Sequence, residues 1–148
     1  MREVPVIPAD WLAWIGRLPA EGGPSGAVWA ARAQRLLVDA FDRWELVADG
    51  PPRTGWTAVV VPVRRAGEPL ALKLVRRSRD TDGEPVALRR WAGAGAVRLV
   101  AALPSDGMLL LERLDPEVDL RTLDTDTACE VIGALLARLH VPAPPPTC

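Results

Sequence analysis

The stretch LALKLV, residues Leu70–Val75, contains the only lysine of the chain within an otherwise apolar run. All other members of the 18 lysine and arginine residues are arginines. Strand alternation places three leucines on one face and Lys73 on the opposite face. A lysine in this position normally extends its ammonium group to water. The alternative is that the ammonium group lines a cleft and binds phosphate oxygens.

The overall composition describes one globular domain. The chain has 148 residues, of which 49% are hydrophobic and 25% charged, values typical of a soluble protein with a core of ordinary size. A net charge of −1 provides no basic surface for nucleic acid or for an anionic membrane. No apolar run approaches the roughly 20 residues that span a bilayer, and no signal peptide pattern is present. Cys129 and Cys148 are far apart in the sequence, so we expect neither a disulfide framework nor a metal site. We expect the protein to be cytoplasmic.

Helical and strand patterns follow one another in an order typical of an α+β domain. Helical spacing predicts two helices ahead of the first strand, at residues 8–18 and 25–44. Three strand-like segments joined by short turns predict an antiparallel meander, at residues 44–50, 56–63 and 70–75. A short helix, two strands and a longer helix follow, at residues 84–91, 97–103, 108–114 and 124–140. The proline-rich end, residues 141–148, indicates an extended linker.

Glu84 begins the predicted short helix and is the candidate partner of Lys73. An acid is favoured in the first turn of a helix, and Thr81-x-x-Glu84 fits a capping box with Pro85 in the first turn. The functional alternative is an ion pair between Glu84 and Lys73. Such a pair would orient the ammonium group and keep it charged, as phosphate binding requires.

Two further segments could contact a nucleotide. Gly50–Gly55 (GPPRTG) joins the first two predicted strands, although its two prolines remove amide donors and a hairpin turn explains it equally well. The strand LLLERL, residues 109–114, ends where the C=O of Glu112 and the N–H of Leu114 could meet an adenine edge. A Walker A loop is excluded because no glycine-rich loop precedes the only lysine. A dinucleotide fingerprint fails because Gly93-x-Gly95 leads into a strand.

Taken together, these segments resemble the small lobe of the protein-kinase-like fold. The resemblance is closest to the aminoglycoside and hydroxyurea phosphotransferases of the streptomycin 6-kinase type, and it covers nearly the whole chain. The segments that carry it are GPPRTGWTAVVVPV, PLALKLV, GEPVALRRWAGAGAVRLVAA, GMLLLERL and the helix end ALLARLH. It implies an α+β fold with a five-stranded antiparallel sheet and one short helix. It divides the chain into a helical leader (1–43), an ATP-binding small lobe (44–114), and a linker with the first helix of a second lobe (115–148).

The resemblance also implies a role for each candidate residue. Lys73 would bind the α- and β-phosphates of ATP, and Glu84 would be its helix partner. Gly50–Gly55 would be the nucleotide loop, with Gly50, Arg53, Thr54 and Gly55 as its binding residues. The hinge, formed by Glu112, Arg113 and Leu114, would hold adenine. In such enzymes ATP, with Mg²⁺, phosphorylates a hydroxyl group of an antibiotic such as streptomycin or hydroxyurea.

One departure from the family pattern limits this expectation. Kinases of this kind need an H-x-D-x-x-x-x-N catalytic segment and a later aspartate for magnesium. Here the only histidine, His140, precedes Val-Pro, and no acidic residue follows Glu130. We therefore expect this chain to contain no catalytic base and no metal ligands. We expect it to be a truncated lobe that is inactive alone.

The missing lobe would leave an apolar face exposed and favour self-association. Two alternatives stay open. One is a non-catalytic relic of a kinase lobe that binds a partner through the helix at 124–140. The other is an unrelated α+β domain in which Lys73 and Glu84 are only structural.

Overall fold

The computed structural model describes residues 3–142, which contain a six-stranded antiparallel sheet and four α-helices. The helices are α1 (Ala9–Ile15), α2 (Gly26–Arg43), α3 (Glu84–Trp91) and α4 (Thr125–Leu139). The strands are β1 (Val47–Ala48), β2 (Arg53–Thr54), β3 (Ala58–Arg65), β4 (Glu68–Val75), β5 (Leu99–Leu103) and β6 (Met108–Glu112). The strand order is β1-β3-β4-β6-β5, and β2 also pairs with β3. The predicted α+β class and antiparallel meander are thus confirmed.

The hairpin of β3 and β4 forms the centre of the sheet. The two strands pair over their full eight residues, from Ala58 opposite Val75 to Arg65 opposite Glu68. The turn between them is made by Ala66 and Gly67, which have φ angles of 49° and 84°. This left-handed geometry matches the right-handed twist of the flanking strands, which explains why a two-residue turn suffices here.

The start of the sheet differs from the prediction. Only Val47–Ala48 of the expected strand at 44–50 pairs with β3, because α2 runs to Arg43 and Glu45 turns the chain with a φ of 53°. Arg53 and Thr54, predicted as turn residues, form β2 instead and pair with Val60 and Val59. The sheet therefore has six strands rather than five.

The two faces of the sheet pack against different partners. The leucine face, with Leu70, Leu72 and Leu74 each at most 1% exposed, packs against the leader helices α1 and α2. This main core also includes Ile7, Ile15, Trp29, Ala33, Leu36, Leu37, Ala40, Phe41, Leu46, Val59, Val61, Val63, Met108 and Leu110. On the opposite face, Leu88 of α3 packs against Leu109 and Leu111. The leader therefore covers one face and leaves the face of Lys73 to α3.

Helix α4 stands apart from both cores. Asp124 caps it, because its side chain accepts a hydrogen bond from the Thr127 N–H at 3.0 Å. None of its residues is buried, and its apolar stripe remains exposed, with Ile132 44% and Leu136 50% accessible. No helix within residues 3–142 is long and apolar enough to cross a membrane. Cys148 and the predicted linker beyond Pro142 lie outside the described residues.

Candidate nucleotide-binding site

A cross-strand row brings the candidate residues of separate segments together. Arg53 pairs with Val60, Val60 with Lys73, and Lys73 with Leu109. Directly opposed residues of antiparallel strands project to the same face of the sheet. Arg53 of the nucleotide loop and Lys73 therefore share one face, two strands apart, on the side that carries α3.

Lys73 and Glu84 form an ion pair, as the functional alternative predicted. The Lys73 Nζ atom donates to the Glu84 Oε1 atom at 2.5 Å. Their side chains are 24% and 25% exposed, so the pair is partly shielded from water. A charge-assisted contact of this length is a strong hydrogen bond. It uses one of the three ammonium donors and leaves the ammonium charged and directed.

The capping-box explanation of Glu84 is wrong. The N-cap of α3 is Gly83, which has no side chain to offer, and no side chain caps this helix. The Thr81 hydroxyl group instead accepts from the Ser78 N–H at 2.9 Å and donates to the Arg76 C=O at 3.1 Å. The Thr81 side chain thus stabilises the loop before the helix, and the Glu84 carboxylate is used by Lys73.

A cavity of about 570 Å³ lies on the same face of the sheet. Its apolar lining comes from neighbouring strands and the segment after β6, and comprises Pro51, Val60, Pro62, Ala71, Val97, Leu111, Leu114 and Pro116. Its polar lining comprises Asp49, Gly50, Arg53, Glu112 and Arg113. The volume is within the range of small-molecule sites. Ala71 lies two residues before Lys73 on the same face, so Lys73 is about 7 Å further along β4.

The nucleotide loop forms one wall of this cavity. Gly50 approaches β3 so closely that a Cβ atom would lie 2.8 Å from Cγ of Pro62. Arg53 is exposed and lines the cavity, and its side chain makes no ion pair within the described chain. Thr54 and Gly55 do not line the cavity; Gly55 closes the β2–β3 turn by donating its N–H to the Ala58 C=O at 2.8 Å.

The predicted hinge lies at another wall, and its side chains are largely engaged within the chain. The Glu112 carboxylate accepts from the Arg98 N–H at 2.7 Å. The Arg113 guanidinium donates to the carbonyl groups of Leu70 at 3.1 Å and Val63 at 2.5 Å, and to Asp49. Leu114, past the end of β6, is 64% exposed and lines the cavity.

Asp49 is a cavity residue that the sequence did not indicate. Its Oδ2 atom accepts from Arg113 at 2.6 Å and lies 3.1 Å from Nε of Arg64. Hydrogen bonds lower the pKa of the Asp49 carboxyl group below its usual value of 3.8; the bond from Arg113 has the larger effect and the bond from Arg64 the smaller. The carboxylate is therefore charged at neutral pH. No sequence motif marks Asp49, because its partners come from β3 and from the segment after β6.

These residues are suited to bind an elongated ligand that has a flat apolar end and an anionic end. The cavity offers an apolar lining, and Arg53 and Lys73 place two cations on the same face of the sheet. No group of three or more His, Cys, Asp or Glu side chains in residues 3–142 is arranged to hold a metal ion.

Comparison with known proteins identifies the family. The family model for aminoglycoside/hydroxyurea antibiotic resistance kinases matches residues 43–148. The chain belongs to this family. The matched region begins at the end of α2. It contains the whole sheet, the cavity and all nine candidate residues.

Individual proteins of known name are similar to most of the chain. Streptomycin 6-kinase of Streptomyces griseus is 44% identical over 127 residues, which are 84% of this chain and 41% of that protein. Hydroxyurea phosphotransferase of Kitasatospora aureofaciens is 40% identical over 144 residues, 87% of this chain and 42% of that protein. Streptomycin 3''-kinase of Klebsiella pneumoniae is 35% identical over 112 residues, 72% of this chain and 41% of that protein. The chain spans about two fifths of the length of these relatives. No solved structure matches it with significance.

Proposed function

We propose that this chain is the nucleotide-binding lobe of an ATP-dependent O-phosphotransferase that inactivates an antibiotic. The acceptor class is that of the relatives, an aminoglycoside such as streptomycin, or hydroxyurea. The observation that supports this most is the Lys73–Glu84 ion pair at 2.5 Å, positioned just beyond an apolar cavity. In this proposal the lobe occupies residues 44–114, the leader residues 1–43, and the start of the second lobe residues 115–148.

Each residue of the site has a physical role in this proposal. Val60 and Ala71 form the apolar surface against which adenine packs. Backbone groups of the hinge, Glu112 to Leu114, meet the adenine edge. The ammonium group of Lys73, oriented by Glu84, binds the α- and β-phosphate oxygens through its remaining donors.

The nucleotide loop Gly50–Gly55 completes the phosphate end of the site, and Arg53 contributes a second cation there. Bound ATP supplies the phosphoryl group. The protein contributes position and charge, the main sources of catalysis in phosphoryl transfer.

We further propose that these 148 residues alone bind ATP but transfer phosphate negligibly. The sequence contains no H-x-D-x-x-x-x-N segment, and no three His, Cys, Asp or Glu side chains in the described part of the chain are grouped to hold a metal ion. The base and the metal ligands would belong to a second lobe, together with most antibiotic contacts. Chemistry on the acceptor hydroxyl therefore requires residues other than those placed here.

Calorimetric titration of the chain with ATP and Mg²⁺ tests the nucleotide site. Lys73→Ala should raise the dissociation constant about 10- to 100-fold, which is the value of a hydrogen bond to a charged group. The matched control is Arg32→Ala, which removes an exposed cation from α2, the helix behind the opposite face of the sheet. It should bind like the parent chain.

Two results would contradict the proposal. The first is the absence of heat and of any shift in unfolding temperature at millimolar ATP with the parent chain. The second is equal binding by the Lys73→Ala and Arg32→Ala variants. Turnover of ATP with streptomycin or hydroxyurea by the 148-residue chain would overturn the separate claim that the chain alone is inactive.

A further inference from the structure

The leader helix α1 contacts the nucleotide loop, although it lies before residue 43, where the family match begins. The Trp11 indole N–H donates to the Gly55 carbonyl oxygen at 2.8 Å. Three residues on, the Trp14 ring meets the ring of Trp56, the residue after the loop, with centroids 4.8 Å apart at 64°. Residues three apart share one helix face, so α1 holds the end of the loop at two points.

The Trp11 side chain is itself well anchored. Its ring packs edge-to-face on Trp29 of α2, with centroids 6.0 Å apart and an interplanar angle of 79°. Ile15, one turn further along α1, is fully buried in the main core. The close approach of α1 and α2 depends on Gly26, where a Cβ atom would collide with the backbone carbonyl group of Ile15. The indole N–H is thus presented by two packed helices.

Arg76, directly after β4, connects the segment between α1 and α2 to the end of the β2–β3 turn. Its side chain is 1% exposed, and its guanidinium donates to the carbonyl groups of Pro19 and Pro24 at 2.9 and 3.3 Å and to Glu21 at 2.9 Å. Its backbone N–H donates to the Thr57 carbonyl group at 2.9 Å. The segment between α1 and α2 is therefore joined to the strand that carries Lys73 and to the end of the β2–β3 turn.

We infer that Trp11 is a positioning residue for the nucleotide loop, an inference that rests on the proposed function. Its N–H fixes the Gly55 carbonyl group and thereby holds Arg53 and Thr54 in register with β3. A loop fixed before the ligand arrives loses less conformational entropy on binding, which raises affinity. Without this donor the Gly55 carbonyl group accepts from water, and the loop keeps only its short pairing with β3, the turn bond of Gly55 to Ala58 and the Trp14–Trp56 contact.

The test compares Trp11→Phe with Trp29→Phe. Both variants replace one ring of the same edge-to-face pair, but only Trp11 donates to the loop. The Trp29 indole N–H is buried and has no hydrogen-bond partner within residues 3–142. Deleting the leader is not a usable test, because it would expose the leucine face of the sheet.

Two measurements are made on each variant: hydrogen exchange of residues 53–57 without nucleotide, and calorimetric titration with ATP and Mg²⁺. Trp11→Phe should speed amide exchange in residues 53–57 about fivefold and raise the ATP dissociation constant about fivefold. Trp29→Phe should lower the unfolding temperature at least as much, since it opens a cavity in the core, while both loop readouts stay at parent values.

Equal loop exchange in the two variants would overturn the inference, and so would unchanged ATP affinity in Trp11→Phe. If the parent chain binds no ATP, the proposed function fails. The exchange measurement then still decides whether Trp11 holds the loop.

Discussion

Removing either partner of the Lys73–Glu84 pair should destabilise the fold, and removing both should cost less than the sum of the two losses. The atoms are 2.5 Å apart and the side chains are 24% and 25% exposed. Exposed ion pairs contribute about 0.2–1 kcal/mol, and hydrogen bonds to shielded charges about 1.5–3 kcal/mol. At this intermediate exposure we expect a coupling free energy of about 1–2 kcal/mol, or about 3–7 °C in unfolding temperature.

The assay is a double-mutant cycle with Lys73→Met, Glu84→Gln and the double variant, measured by urea unfolding and followed by tryptophan fluorescence. The chain offers a matched control cycle in Arg98→Met and Glu68→Gln. Those side chains are 51% and 56% exposed and their charged atoms are 3.8 Å apart, so their coupling should be below about 0.5 kcal/mol. A Lys73–Glu84 coupling no larger than that of the control would refute the reasoning, and Lys73 would then be an ordinary strand lysine that reaches water.

Three further predictions follow from single contacts. Gly50→Ala should lower the unfolding free energy by about 1–3 kcal/mol, because its Cβ atom would lie 2.8 Å from Cγ of Pro62. Gly55→Ala, where the nearest atom is 3.7 Å away, should cost less in the same urea titration. Because the pKa of Asp49 is lowered in the folded protein, its carboxylate stabilises the fold above about pH 4. This contribution is lost as the pH falls through the pKa of Asp49 in the folded state. The stability difference between the parent chain and Asp49→Asn should therefore shrink from pH 6 to pH 3; a constant difference would contradict this. Leu136→Lys, on the exposed stripe of α4, should change stability by less than about 0.5 kcal/mol and reduce any self-association in sedimentation velocity, whereas unchanged association would exclude this stripe as the contact.

Local patterns predicted most of the fold. The helix α3 spans the same residues as its prediction, 84–91, because Pro85 marks its first turn and the glycines after Trp91 mark its end. The alternation in LALKLV correctly separated the buried leucine face from the face of Lys73, since a strand has a period of two residues. Both signals lie within a few residues of the feature that they predict.

Contacts between segments distant in sequence were not predictable in this way. Thr81-x-x-Glu84 matched the capping-box motif, but the Thr81 hydroxyl group instead accepts a hydrogen bond from the Ser78 N–H in the preceding loop. The pairing of Arg53 with Val60 falls within a segment whose prolines and glycines indicated only a turn. Asp49 and Trp11 have partners 64 and 44 residues away in the sequence, and no spacing rule connects them.

The one lysine among so many arginines now has a physical explanation. Two arginines, Arg76 and Arg113, use their forked guanidinium groups to hold several protein acceptors at once: Arg76 donates to two carbonyl groups and a carboxylate, and Arg113 donates to two carbonyl groups and Asp49. A guanidinium group held in this way by protein acceptors has few donors left for a ligand. Lys73 makes a single short contact to Glu84, and its compact ammonium group keeps donors for phosphate oxygens. In the proposed function, the one lysine of the chain therefore lies where an oriented charge with spare donors would meet the phosphates, whereas Arg76 and Arg113 bind other parts of the protein.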